Sequence, residues 1–148
     1  MDKARRLRES LRRSGAVVAV GAHDALSARL IERAGFDAVW ASGFAISAAQ
    51  FALPDANILT MTESLETTRH IVRATNLPVI ADCDNGYGNA INVMRTVSEY
   101  EAAGVAAISI EDIAAGGSRS RRIATVCSIS LSVTLGDIGT RRLDPHES

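Results

Sequence analysis

The chain has 148 residues, 47% of them apolar and 22% charged, which is enough for one buried core and typical of a globular domain. A formal net charge of −1 gives no sign of a surface for nucleic acid or another polyanion. The longest apolar runs fall well short of the ~18 residues of a membrane span. No apolar h-region of a signal peptide follows the charged first 15 residues, so no secretory signal is predicted.

Cysteine and histidine usage suggests neither a disulfide framework nor a zinc site. The two cysteines, Cys83 and Cys127, lie far apart, and a reduced, cytoplasmic protein is therefore expected. The three histidines, His23, His70 and His146, are scattered and form no metal-ligand pattern.

The predicted elements alternate between strands and helices after a charged, helical start. Short apolar runs are typical of strands buried on both faces, whereas apolar residues spaced by three or four predict helices. In chain order they are a strand at residues 16–21, a helix from Asp24 to Gly35, a strand at 36–42, a short helical piece, a loop at 53–57, a helix at 61–75, a strand at 78–82, a helix at 89–103 and a strand at 105–110.

This alternation predicts parallel βα units in an α/β fold. We interpret them as the first half of a (β/α)₈ TIM-type barrel, with a doubly wound open sheet as the alternative. Since such a barrel needs ~200–250 residues, the chain is expected to hold about half of one, as a truncated barrel.

The last part of the chain breaks the pattern. Residues 113–122 are rich in Gly, Ser and Arg and predict a loop, residues 123–139 have β propensity, and no fifth βα unit is readable. We therefore expect two parts, a half-barrel at residues 1–112 and a divergent tail at 113–148 with no recognisable fold.

The densest group of candidate functional residues follows the third strand, in the sequence ADCDNGYGN. Asp82 and Asp84 are two positions apart, so an extended backbone directs both carboxylates to one face. Gly86 and Gly88 permit a tight turn beside a ligand. Hard carboxylate oxygens suit Mg²⁺, and Glu111 at the end of the next strand offers a third. The alternative is a turn with solvated acids and a helix cap.

A second candidate lies at the end of the second strand, at Trp40, Ser42, Gly43 and Phe44. Backbone N–H groups at such a turn can bind an anion, and the serine hydroxyl adds a donor. The alternative is that the aromatic residues belong to the core and the glycine only shapes the turn.

Three further positions are weaker candidates. Asp55 lies in the polar turn PDAN, which turn formation alone explains. His23 follows the first strand and is expected to face the same end of the sheet. Cys83 alternates away from its acidic neighbours, which predicts a small buried residue rather than a nucleophile.

Four stretches together resemble a known family: GAHDALSARLIERAGFDAVWASGF, PDANILTMTE, ADCDNGYGNAINV and IED. Their order and spacing, from about residue 15 to residue 112, are similar to the phosphoenolpyruvate mutases of the isocitrate lyase/phosphoenolpyruvate mutase superfamily. The PDAN turn and DCDNGYGNA favour the mutases and phosphonopyruvate hydrolases over the lyases, whose KKCGH motif does not occur in this chain.

The resemblance implies a (β/α)₈ barrel, Mg²⁺ as cofactor and a small-molecule substrate. The reaction it implies is the interconversion of phosphoenolpyruvate and phosphonopyruvate, an isomerisation that forms the P–C bond in phosphonate biosynthesis. The full-length family is expected to be homo-oligomeric. The alternatives are a phosphonopyruvate hydrolase or another C–C or P–C enzyme of the superfamily, and a non-catalytic half-barrel fragment.

By position, the resemblance also implies roles for the candidate residues. Asp82 would bind Mg²⁺ directly, and Asp84 and Glu111 would hold it through bound waters. Asp55 would lie near the reacting phosphoryl group, and Trp40 would form a wall of the pocket.

The same resemblance implies that Ser42, Gly43 and Phe44 bind the substrate through backbone N–H groups. The sequence then departs from the family. Where the mutases have a gating segment of the form K-x-F-P-K-x-N-S, residues 113–120 read IAAGGSRS, without the gate lysine or asparagine. Weak or absent turnover by this chain alone is expected.

Overall fold

The computed structural model describes residues 2–14, 16–113 and 119–124. The elements, in chain order, are α1 (Lys3–Ser14), β1 (Ala19–Ala22), α2 (Ala25–Arg33), β2 (Ala38–Ala41), α3 (Gly43–Phe51), α4 (Met61–Ala74), β3 (Val79–Asp82), α5 (Ala90–Ala102), β4 (Ala107–Ile113) and β5 (Arg119–Ala124). Among the described residues, no helix combines the length and hydropathy needed to cross a membrane.

The strands form one sheet in the order β1-β2-β3-β4-β5, and the first four are parallel. Trp40 is opposite Ile80 in the register between β2 and β3, and Asp82 is opposite Ser109 between β3 and β4. Helices connect each parallel strand to the next, as in half of a (β/α)₈ barrel. The predicted fold class is therefore confirmed.

The fifth strand corrects the expectation of a loop at residues 113–122. Ile113 ends β4, and Arg119 pairs with it as the first residue of an antiparallel β5. The outer edge of β4 presents unpaired backbone N–H and C=O groups, which an extended segment following it can satisfy. Residues 114–118 and 125–148, including Cys127, His146 and most of the predicted β-prone stretch, lie outside the described residues, so the division at residue 112 stays a prediction.

The larger core lies between the sheet and helices α2–α5. Strand residues such as Val39, Val79 and Ile108 are at most 1% exposed and pack with Leu65 and Ile71 of α4. These strand positions alternate with residues on the opposite face, as the two-residue period of a strand requires. The helical side of the sheet is thus a continuous apolar layer.

The opposite face of the sheet is covered in part by α1. Ala4 and Leu7 of this helix form a second buried cluster with strand residues that include Ile80 and Ala107, and Trp40 packs against it. Asp82 and Ser109 follow Ile80 and Ala107 by two positions, which places them on this same face, nearer the carboxyl ends of the strands.

Candidate active site

The turn after β3 is joined by backbone hydrogen bonds to β4. Cys83 N–H donates to the Ser109 carbonyl at 2.9 Å, and Glu111 N–H donates to the Asp84 carbonyl at 2.6 Å. Gly86 N–H then closes the turn on the Cys83 carbonyl at 2.7 Å. The ends of two neighbouring strands are therefore fixed to each other, and the acidic residues that follow them share one edge of the sheet.

Four residues between β3 and α5 have a positive φ: Asp84, Gly86, Tyr87 and Gly88. Asp84 has φ +47° and Gly86 has φ +81°, both in the left-handed region. Glycine enters this region without steric cost, and aspartate is among the few other residues that do so at moderate cost. The turn thus reverses the chain within a few residues and keeps the carboxylate of Asp84 at the sheet edge.

The first residue of α3 lies directly against the two aspartates of this turn. A β-carbon added to Gly43 would be 3.2 Å from Oδ1 of Asp84 and 3.5 Å from Oδ2 of Asp82. The helix begins here because the hydroxyl oxygen of Ser42 accepts a hydrogen bond from Ala45 N–H at 3.3 Å. The first N–H groups of a helix lack partners within it and carry its positive dipole end, so this terminus can bind an anion beside the carboxylates.

Negative charge is concentrated at Asp84. Burial, followed by the nearby carboxylates of Asp82, Asp55 and Glu111, raises the pKa of Asp84 to about 6 from its ordinary 3.8. Asp82, Asp55 and Glu111 are therefore close enough to Asp84 for their charges to act on its carboxylate. A cation bound between these carboxylates would lower their electrostatic repulsion.

The donor set distinguishes among metal ions. Within the described part of the chain, no three His, Cys, Asp or Glu side chains converge closely enough to chelate an ion by themselves. A structural zinc site with four protein ligands therefore does not fit these residues. Mg²⁺ does fit, because it takes one or two carboxylates and keeps several waters.

A cavity beside the aspartates contains Asp55. It is lined by Gly43, Ser47, Pro54, Asp55, Ala56, Asn57, Ile58, Leu59, Ser64 and Asp84. The loop that carries Asp55 is attached to α3, since the hydroxyl of Ser47 lies 3.1 Å from the Leu53 carbonyl and 3.2 Å from that of Pro54. Asp55 and Asp84 therefore open onto the same cavity.

The remaining predicted residues fall into different surroundings. Trp40 is half-buried on the site face of the sheet, against the α1 cluster. Phe44 is 59% exposed, so it is not a core residue. His23 does not line the Asp55 cavity, and its Nε2 lies 3.7 Å from Oδ2 of Asp24. Cys83 is fully buried, which raises the pKa of its thiol, and the expectation of a small buried residue is confirmed.

Sequence reasoning missed three serines near the site. Ser47 and Ser64 line the cavity, and Ser109 is fully buried opposite Asp82, with no hydrogen-bond partner for its Oγ among the described residues. A signal for Ser109 existed, since it precedes Glu111 by two positions in a predicted strand and so shares its face. No local sequence pattern identifies Ser47 or Ser64 as a residue of the site.

Known proteins resemble this chain over most of its length. The family described as phosphoenolpyruvate phosphomutase matches residues 7–134. A 2,3-dimethylmalate lyase of Eubacterium barkeri is 54% identical over 112 residues, which are 76% of this chain and 39% of the lyase.

Two solved structures of related proteins are also similar to this chain over most of its length. A phosphoenolpyruvate phosphomutase from Streptomyces platensis subsp. rosaceus is 56% identical with a TM-score of 0.72, over 74% of this chain and 38% of that one. A phosphonopyruvate hydrolase in complex with oxalate and Mg²⁺ is 48% identical with a TM-score of 0.73, over 78% of this chain and 41% of that one. The present chain thus spans about two fifths of the length of the proteins it matches.

Proposed function

This chain belongs to the phosphoenolpyruvate phosphomutase family, and from that premise we propose that it carries the Mg²⁺-binding and enolate-binding half of a phosphoenolpyruvate mutase-type active site. One observation carries the proposal, the contact of the α3 N-terminus at Gly43 with the carboxylates of Asp82 and Asp84. This contact supports the proposal, because hydrogen-bond donors for an anion and oxygen ligands for a cation would then be within one ligand's reach of each other.

The metal-binding part of the proposal assigns three carboxylates. Asp82 binds Mg²⁺ directly, and Asp84 and Glu111 hold its water ligands. Support comes from the carboxylates near Asp84, which add to the effect of burial in raising its pKa, since negative charges gathered in this way favour a divalent cation. When bound, the ion supplies positive charge for the oxygens of a pyruvate enolate.

The substrate-binding part rests on α3. Backbone N–H groups of Gly43 and Phe44, together with the Ser42 hydroxyl, donate to the carboxylate and enolate oxygens. Asp55, which shares a cavity with Asp84, lies beside the phosphoryl group. Trp40 is on the same face of the sheet as Asp82 and forms a wall that keeps water from that group. Excluding water matters because a phosphoryl group in transit between oxygen and carbon is otherwise hydrolysed.

The reaction we propose is the interconversion of phosphoenolpyruvate and phosphonopyruvate, in which the phosphoryl group moves between the enolate oxygen and the methyl-derived carbon of pyruvate. The second candidate reaction for this chain is hydrolysis of phosphonopyruvate, which is favoured by the 48% identity to a phosphonopyruvate hydrolase. The 54% identity to a dimethylmalate lyase is as high, so the preference for phosphorus over carbon chemistry stays a prediction.

Turnover requires gating residues in addition to the metal-binding and substrate-binding residues. The gate lysine and asparagine of the mutases have no match in residues 113–120. Binding without turnover, as in a non-catalytic half-barrel, is therefore the outcome we expect from this chain by itself. A cytoplasmic setting and a homo-oligomeric full-length assembly also stay predictions.

Phosphorus NMR on the purified chain with phosphonopyruvate and Mg²⁺ tests the reaction. Formation of phosphoenolpyruvate identifies a mutase, and inorganic phosphate with pyruvate identifies a hydrolase. An unchanged spectrum, together with calorimetric binding of oxalate and Mg²⁺, identifies a binding half-site. An Asp82→Ala variant is the control for contaminating enzymes, since any product that survives this change does not arise at the proposed site.

A further inference from the structure

Tyr87, in the turn that follows β3, has a backbone conformation that its residue type rarely adopts. Its φ is +62°, in the left-handed region, where a bulky side chain is sterically disfavoured. Asp84, three positions earlier, lies in the same region at φ +47°. Such conformations cost free energy, persist only where surrounding contacts impose them, and are concentrated at functional sites. The contacts of Tyr87 therefore decide the shape of the turn that carries Asp84.

The side chain of Tyr87 is held by a ring of three hydroxyl groups. Its hydroxyl lies 3.3 Å from that of Tyr100 on α5 and is also hydrogen-bonded to the side chain of Ser64 on α4. Tyr100 closes the ring by donating to Ser64 Oγ at 3.2 Å. Each hydroxyl can donate one hydrogen and accept another, so all three are satisfied within the ring. Because Tyr100 is fully buried and Ser64 is 2% exposed, opening the ring would leave buried polar groups without partners.

The residue before Tyr87 is fixed to the same helix. The carbonyl of Gly86 lies 3.1 Å from Oγ1 of Thr96, a fully buried residue of α5. The N–H group of Gly86 donates to the Cys83 carbonyl at 2.7 Å. Asp84 thus lies within a loop that a backbone hydrogen bond closes, and the carboxyl-terminal side of this loop is anchored to α5 through two side chains.

We propose that Tyr87 is a positioning residue of the metal site, which uses the hydroxyl ring to keep the turn in the conformation that holds Asp84 against Gly43. Tyr87 packs against the core between sheet and helices and acts through the backbone of the turn, not by contact with the ion. Without the ring, the left-handed backbone relaxes, and the carboxylate of Asp84 is held less firmly for the water ligands of Mg²⁺. The inference rests on the proposed function for the identity of the site.

Calorimetric titration of Mg²⁺ in the presence of oxalate tests this role in the 148-residue chain. Tyr87→Phe and Ser64→Ala each remove one oxygen atom of the ring and leave the backbone unaltered. We expect each variant to bind Mg²⁺ about tenfold more weakly, the lower end of the effect of residues that orient metal ligands.

A control variant separates positioning from a general loss of stability. Lys3 on α1 donates to the carbonyls of Val72 and Thr75, each at 2.8 Å, at the end of α4 that precedes β3. Lys3→Met keeps the aliphatic stem and removes these hydrogen bonds, so it should lower the melting temperature and leave Mg²⁺ affinity unchanged. Thermal melting without Mg²⁺ is recorded for all three variants.

The outcomes separate this inference from the proposed function. Mg²⁺ affinity within twofold of the unaltered chain in either ring variant, whatever its melting temperature, would overturn the role of Tyr87 alone. If Tyr87→Phe does not fold, Ser64→Ala decides by the same criterion. Equal weakening in Lys3→Met would show that affinity follows stability, and would also overturn the inference. Failure of the unaltered chain to bind Mg²⁺ with oxalate would overturn the proposed function and this inference with it.

Discussion

Gly43 lies so close to Asp84 that a β-carbon on the glycine would be 3.2 Å from the nearer carboxylate oxygen. The helix N-terminus and the acidic turn thus come from different βα units but form one surface. Neither would bind a ligand of mixed charge alone, because one offers donors to an anion and the other offers oxygens to a cation.

Replacing Gly43 by alanine should therefore damage the site more than the fold. The added methyl group displaces the carboxylates of Asp84 and Asp82, and we expect binding of oxalate with Mg²⁺ to weaken at least about tenfold, or ~1.4 kcal/mol. Gly21→Ala is the matched control, because its β-carbon would lie 3.8 Å from the Ser42 β-carbon, an ordinary contact. Equal affinities in calorimetry for both variants would contradict the close approach.

Asp84 should make the apo protein less stable as the pH rises. Its pKa is about 6 in the folded state and near 3.8 when unfolded, so the folded state holds the proton more tightly. This contribution to stability is fully present below pH 3.8 and is lost as the pH rises through about 6.

Thermal melting in the absence of divalent cations measures this effect. Asp84→Asn removes the charge, so the variant should melt at a higher temperature than the unaltered chain at pH 7.5, while the two should agree near pH 4. A difference that is independent of pH would exclude ionisation of the buried Asp84 carboxylate as its cause.

Removing the hydroxyl group of Ser109 and that of Thr96 should have different effects on the free energy of unfolding. Ser109 Oγ has no partner among the described residues, so Ser109→Ala should leave the free energy of unfolding unchanged or raise it by up to about 1 kcal/mol. Thr96 is equally buried, but its hydroxyl lies 3.0 Å from the Asn92 carbonyl and 3.1 Å from the Gly86 carbonyl, so Thr96→Val should lower the free energy of unfolding by about 1–2 kcal/mol. Urea titration checks both, and a clear loss in Ser109→Ala would mean that its hydroxyl is satisfied.

Cys83 should be inert to thiol reagents in the folded protein. The side chain is fully buried and its thiol pKa is raised by burial and by the adjacent aspartates, so the reactive thiolate is scarce. In a Cys127→Ser variant, a chromogenic disulfide reagent should label Cys83 only after denaturant is added. Rapid labelling without denaturant would show that the layer between sheet and helices opens easily.

Much of this site could be predicted from local sequence, because strands buried on both faces have a clear apolar signature. The runs before Asp82 and Glu111 locate two neighbouring strand ends, and polar residues after such runs must meet at one edge. The hydrogen bond from the Tyr100 hydroxyl to Ser64 Oγ could not be found this way. Ser64 and Tyr100 are separated by 36 positions, and their contact depends on how two helices pack. The strand β5 was also missed, since it depends on the free edge of β4 rather than on its own composition.

The central claim is that Asp82 and its neighbours form a Mg²⁺ site that supports binding of an enolate-like dianion. Calorimetric titration of Mg²⁺ with oxalate present tests it most directly, in the unaltered chain, in Asp82→Ala and in the control Glu101→Gln, which removes a carboxylate from the distant end of α5. We expect one Mg²⁺ per chain, an affinity at least about tenfold lower in Asp82→Ala, and no change in the control. Equal Mg²⁺ affinity in the unaltered chain and in Asp82→Ala would contradict the account.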